Sequence, residues 1–210
     1  MSESKTQKRQ QLLQELESNY ESLPLAEKPE DMVMGFGNVD SDVMFIGEAP
    51  GRNEAIERKP FVGRGGKLLN ATLEMHGMKR DDFYVSNIVK VRPPDNRDPK
   101  PEEINAFVPY LYREIDIIEP LLFVSLGRFS MNFFLPDAKI SAIHGVLQRF
   151  MWEGKITYLL PVYHPAAALR NGNMKESFER DIGKIPKALA YIREQEEHDA
   201  HVAEVRSALL

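Results

Sequence analysis

Four side chains of unlike chemistry stand out by their settings. They are Glu48 in Gly47-Glu48-Ala49-Pro50-Gly51, Phe61 in Pro60-Phe61-Val62-Gly63, Asn87 in Ser86-Asn87-Ile88-Val89-Lys90, and His164 in Tyr163-His164-Pro165. A carboxylate, an aromatic face, an amide and an imidazole can between them stack on a ligand, hydrogen-bond to it and stabilise developing charge. Each also has an ordinary structural use. The pentapeptide reads equally as a Pro-Gly loop, Phe61 as core, Asn87 as a turn residue and His164 as a helix cap. The decision rests on whether the fold brings the four together.

The elements that would position them can be read from apolar runs and breakers. Residues 43–46 are an unbroken apolar run, the pattern of a strand buried on both faces of a parallel sheet. The glycine-rich turn carrying Glu48 then lies at that strand's carboxyl end, where open α/β folds place their ligands. Further strands are expected over 83–89, 121–126 and the arm 155–160 continuing to Tyr163, with 146–151 as the other arm of a hairpin around Glu153-Gly154. Helices are expected over 4–20, from Lys67 to about 76, over 101–118 with proline in the first turn, and over 174–206 as one helix or a pair. Arg92 to Pro101 contains four prolines and reads as an extended loop. Strands alternating with helices imply an α/β fold, a three-layer α/β/α sandwich around a central, mainly parallel four-stranded sheet. In such a sheet the strand ends converge on one rim, gathering Glu48, Phe61, Asn87 and His164 around a single crevice.

At 210 residues the chain suits one domain with a substantial core, spanning 1–210. A hydrophobic fraction of 42% and a charged fraction of 28% are ordinary for a soluble globular protein. Neither a span long enough for a bilayer nor the apolar core of a secretory signal is found, so a cytoplasmic protein without a membrane partner is expected. The chain has no cysteine, which excludes thiolate zinc sites and cysteine-ligated iron–sulfur clusters, and no metal or cofactor is expected. A net charge of −5 argues against a broad cationic coat, yet Arg52, Arg58, Lys59, Arg64, Lys67, Lys90, Arg92, Arg97 and Arg170 fall in or beside the motifs.

Three linked segments, GEAPG followed by PFVGRGGKLLN, then SNIVKVRPPDNRDPKP, then YHPAAALRN, resemble in order and spacing the motifs of the family-4 uracil-DNA glycosylases. The resemblance covers roughly residues 20–190 and implies a hydrolase that cleaves uracil from DNA in base excision repair. It implies that Phe61 stacks on a flipped uracil and that Asn87 reads its N3–H and O4 edge. It further implies that His164 donates to O2 and that Glu48 positions water or stabilises a cationic sugar. Ala49 would offer a backbone N–H to O2, and Glu54 would crowd a 5-methyl group. Leu169 and Arg170 would enter the duplex and grip phosphate, with Lys90 and Arg92 adding positive charge. The implied partner is uracil-containing DNA, met by a monomer.

The chain departs from the family where four cysteines normally hold a four-iron cluster. Tyr20, Leu23, Val91 and Phe107 occupy those places, and apolar packing is expected instead. Ala55 replaces an acid, Gly66-Lys67 replaces a small-residue/Gln pair, and the proline loop has no histidine that could trap a sugar covalently. The lost cluster keeps an alternative open: a non-catalytic or weakly active relative that binds nucleic acid or a nucleobase.

Overall fold

The computed structural model describes residues 3–208, with side chains through residue 201. Its centre is a sheet of six strands: β1 (Phe36–Gly37), β2 (Val43–Gly47), β3 (Tyr84–Asn87), β4 (Leu122–Leu126), β5 (Gln148–Trp152) and β6 (Lys155–Val162). Their spatial order is β1-β3-β2-β4-β6-β5. The four central strands β3, β2, β4 and β6 are mutually parallel. The expected four-stranded sheet is therefore widened by antiparallel strands at both edges. The β5 edge follows from the hairpin, whose Glu153 and Gly154 both take positive φ, as a two-residue turn requires. The β1 edge is only two residues long, too short for any alternation to announce it.

Every residue of β2, β3 and β4 is buried, because helices cover both faces. Successive side chains alternate between two apolar clusters. Met44 and Ile46 point to one, with Leu12 and Leu16 of α1 (Lys5–Ser18) and Phe107, Leu111 and Ile115 of α4 (Pro101–Ile118). Val43 and Phe45 point to the other. There they meet Leu69 and Leu73 of α3 (Arg64–Met75), Phe178 and Ile182 of α8 (Gly172–Ile182), and Ile185 and Ile192 of α9 (Ile185–Ala208). This is the expected three-layer sandwich. The C-terminal segment is a helix pair broken at Gly183-Lys184, where buried Asp181 accepts from Lys184 and meets His144 at 2.6 Å. Short helices complete the chain: α2 (Arg52–Glu57), α5 (Arg128–Phe134), α6 (Ile140–Ile143) and α7 (Pro165–Ala168).

Leu23, Val91 and Phe107 are buried in the first apolar cluster, and Tyr20 packs against it. One phenol and three hydrocarbon side chains supply no thiolate, so this region does not fit an iron–sulfur cluster. It is held by packing. Truncating Phe107, which is fully buried, to alanine is expected to cost about 3–5 kcal/mol in denaturant-induced unfolding, while protein that remains folded keeps its activity.

Candidate nucleobase site

The cleft is shaped by places where the backbone must pass without a side chain. Gly47 pairs with Asn87 at the last register position of β2 and β3. A Cβ on Gly47 would lie 2.4 Å from Asn87 Oδ1 and 2.5 Å from the Phe61 ring, so the glycine is what lets both groups converge there. Phe61 itself takes a left-handed φ of 56°. Its carbonyl fills the space above Gly66, where a Cβ would come within 1.7 Å. Backbone strain of this kind in a non-glycine residue persists where the surroundings hold it, often at binding sites.

Glu48, Ala49, Glu54, Phe61, Asn87, His164 and Arg170 all line one cleft of about 530 Å³ at the carboxyl ends of the central strands. The Phe61 and His164 ring centroids are 6.1 Å apart. Asn87 is only 2% exposed, and its Oδ1 is buried without a hydrogen-bond partner among the described residues. A buried acceptor left in that state costs stability until a donor reaches it, and this one lies on the cleft wall.

His164 is the N-cap of α7, with its Nδ1 accepting from the Ala166 N–H at 3.1 Å. That bond assigns the ring proton to Nε2, leaving one N–H to donate. Burial, reinforced by the positive charge of Arg170, lowers the imidazole to about 4, so it is neutral at physiological pH. The Glu48 carboxyl moves the other way. Burial raises it to about 7, with repulsion from Asp98 adding and Arg128 opposing. One cleft thus holds two groups displaced in opposite directions, a neutral imidazole and a carboxyl that is readily protonated.

Other expected residues are placed differently. Lys90 does not face DNA. Its side chain is 1% exposed and paired with Glu114 of α4. Arg92 lies outside the cleft beside Lys28, Arg52 and Arg58, with its Nε donating to Asn96 Oδ1 at 2.8 Å. Leu169 is exposed at the end of α7, and Arg170 donates to the Ala166 carbonyl at the cleft wall. Glu54 accepts the Gly63 N–H at 2.7 Å, so its carboxylate braces the loop that carries Phe61. The ion pair of Asp98 and Arg128, 2.7 Å apart, is not apparent from the sequence. Its only signals there are an acid inside the proline loop and an arginine just after the third central strand. Among the described residues no cluster of His, Cys, Asp or Glu could hold a metal ion.

An aromatic ring, a buried amide oxygen and a neutral imidazole N–H thus line one cleft at the rim of a parallel sheet. Residues 34–184 match the Uracil DNA glycosylase superfamily, and the chain belongs to it. It is 44% identical over 75% of its length to a type-4 uracil-DNA glycosylase of Saccharolobus solfataricus, covering 76% of that protein. A type-4 enzyme of Archaeoglobus fulgidus is 41% identical over 73% of the chain and 79% of its own length. One from Thermotoga maritima is 37% identical, over 82% and 88%.

Proposed function

We propose that this protein hydrolyses the N-glycosidic bond of uracil in DNA, acting as a cytoplasmic, single-domain monomer without a cofactor. The observation that carries the reading is the Asn87 Oδ1, without a partner among the described residues, beside the Phe61 ring in the cleft. A base must leave the helical stack to reach such a pocket. Once there, its ring stacks on Phe61 and its N3–H supplies the donor that Asn87 lacks, while the Asn87 NH2 donates to O4. Cytosine presents the reversed pattern on that edge and is rejected.

As the glycosidic bond breaks, negative charge gathers on uracil O2 and positive charge on the sugar. The His164 Nε2–H, with the backbone N–H of Ala49, stabilises the oxyanion. The Glu48 carboxylate stabilises the oxocarbenium-like sugar and orients water toward it. Arg170 and Leu169 meet the flanking strand, and Arg52 and Arg64 lend the cleft mouth positive charge despite the net charge of −5, whereas Arg97 is paired with Glu103. Uracil-containing single- and double-stranded oligonucleotides provide the test. Alkali-labile sites at uracil, with thymine and cytosine spared, are expected without added metal, and no cleavage at stoichiometric protein would defeat the reading.

Two further results are expected. Because ionised Glu48 does the work, kcat/KM should rise by about tenfold per pH unit below the Glu48 value and level off above it. That value is near 7, and Asp98→Asn, by removing a repelling charge, should move the rising limb to lower pH. His164, at about 4, adds no limb between pH 5 and 9. Phe61→Ala should weaken substrate binding by roughly 10–100-fold in KM, the equivalent of about 1–3 kcal/mol of lost stacking.

A further inference from the structure

Behind the cleft sits a buried charge that the proposed chemistry does not use. The Lys90 and Glu114 side chains are each 1% exposed. Lys90 Nζ donates to the Glu114 carboxylate, to Ser86 Oγ at 2.7 Å and to the Asn87 carbonyl at 2.7 Å. Glu114 also accepts from the Tyr84 hydroxyl and Ser86 hydroxyl, each at 2.7 Å, and from the Gly35 N–H at 2.9 Å. Burial raises the Glu114 carboxyl, but attraction to Lys90 and hydrogen bonds from Lys90, Ser86 and Tyr84 outweigh it and hold it ionised.

Stability alone is a poor account of this pair. A buried ion pair is commonly no more stabilising than apolar side chains of the same volume, because both charges must be stripped of water. What the pair does have is a specific address. Asn87 is the last residue of β3, and its side chain lines the cleft. The ammonium group grips the main-chain carbonyl of that same residue.

We propose that the Lys90–Glu114 pair is a positioning device for Asn87, fixing the peptide plane at the end of β3 and with it the direction of the side-chain amide in the cleft. The proposal rests on the reading of Asn87 as the group that contacts the base. Misplacement of such a group by an ångström is enough to cost about 100-fold in rate, so a remote clamp has a large effect to exert.

The test is a mutational cycle. Lys90→Met with Glu114→Gln removes both charges and the grip on Asn87, yet keeps an amide that can bond Tyr84, Ser86 and Gly35. Circular dichroism and thermal unfolding report the fold, and single-turnover excision from a uracil oligonucleotide reports function. The pair variant should fold and lose about 10–100-fold in rate. Introduced on top of Asn87→Ala, it should cost no more than about twofold further, because the residue it serves is already gone. Full activity in the pair variant, or an undiminished loss in the Asn87→Ala background, would overturn the positioning role and leave the proposed function standing. If the pair variant does not fold, Lys90→Gln with Glu114→Gln keeps a polar side chain at both places while removing the ammonium group that grips the Asn87 carbonyl. The same cycle then applies, and the same two results support or overturn the positioning role.

A second measurement is independent of catalysis. The Asn87 side-chain NH2 resonances, assigned by their loss in Asn87→Ala, should be sharp in the wild type and shifted or broadened in either pair variant. Unchanged resonances would overturn the proposal. A wild type inactive on uracil would defeat the functional reading without deciding this one, which the resonances then decide.

Discussion

Asn87→Ala and His164→Asn are each expected to lower uracil excision by about 100–1,000-fold, the usual cost of losing a preorganised donor or reader at a site of developing charge. They should do so without comparable loss of stability, for a different reason in each case. Asn87 holds a buried Oδ1 with no partner among the described residues, so alanine removes an unsatisfied group. The folded state then loses little and gains relief from a desolvated acceptor. His164 does carry a structural bond, its Nδ1 capping α7 through the Ala166 N–H. Alanine there would confuse the loss of a cap, about 0.5–2 kcal/mol, with the loss of a donor. Asparagine keeps a capping oxygen on a shorter side chain that falls short of where Nε2 reaches. Single-turnover rates beside thermal unfolding separate the outcomes. A His164→Asn protein that keeps full activity would make the histidine a cap and nothing more.

Glu48→Gln is expected to reduce the rate by about 100–10,000-fold, in the range found for a positioned acid or base, and to make the protein more stable at alkaline pH. The second half follows from linkage. The folded carboxyl titrates near 7, above its ordinary value of 4.5, because burial and Asp98 disfavour the charge. Between those values the native protein holds a proton that the unfolded chain has released, so native stability falls as pH rises across that window and stays lowered above it. Glutamine carries no charge to bury. The variant should therefore melt higher than wild type at pH 8 and at about the same temperature at pH 4. Equal melting temperatures at both values would mean that Glu48 is not strained by its setting.

Much of this is legible in the chain because the relevant signals are local. Apolar runs such as residues 43–46 and 121–126 mark central strands, and residues just beyond them must reach the rim of a parallel sheet. Glu48 and His164 follow from that rule, and Phe61 from its glycine-rich setting. Lys90 shows where the rule stops. Its position beside Asn87 and Arg92 suggests a cationic surface, but the direction of its side chain depends on Glu114, 24 residues away on a helix that packs behind the strand. The Asp98–Arg128 pair spans 30 residues and is hidden for the same reason. The depth of Asn87 is equally illegible, since burial at a strand end is decided by the loops that close over it.

The packing of Leu23, Val91 and Phe107 has a consequence for how the protein is made. Where an inorganic centre braces a fold, the finished enzyme waits on metal delivery and is exposed to peroxide and nitric oxide, which attack such centres. Here the same region closes by burial of hydrocarbon, so the polypeptide holds in itself all that this bracing needs, and refolding from denaturant with chelator present should be complete. A region closed in this way has no metal to lose and no thiolate to oxidise.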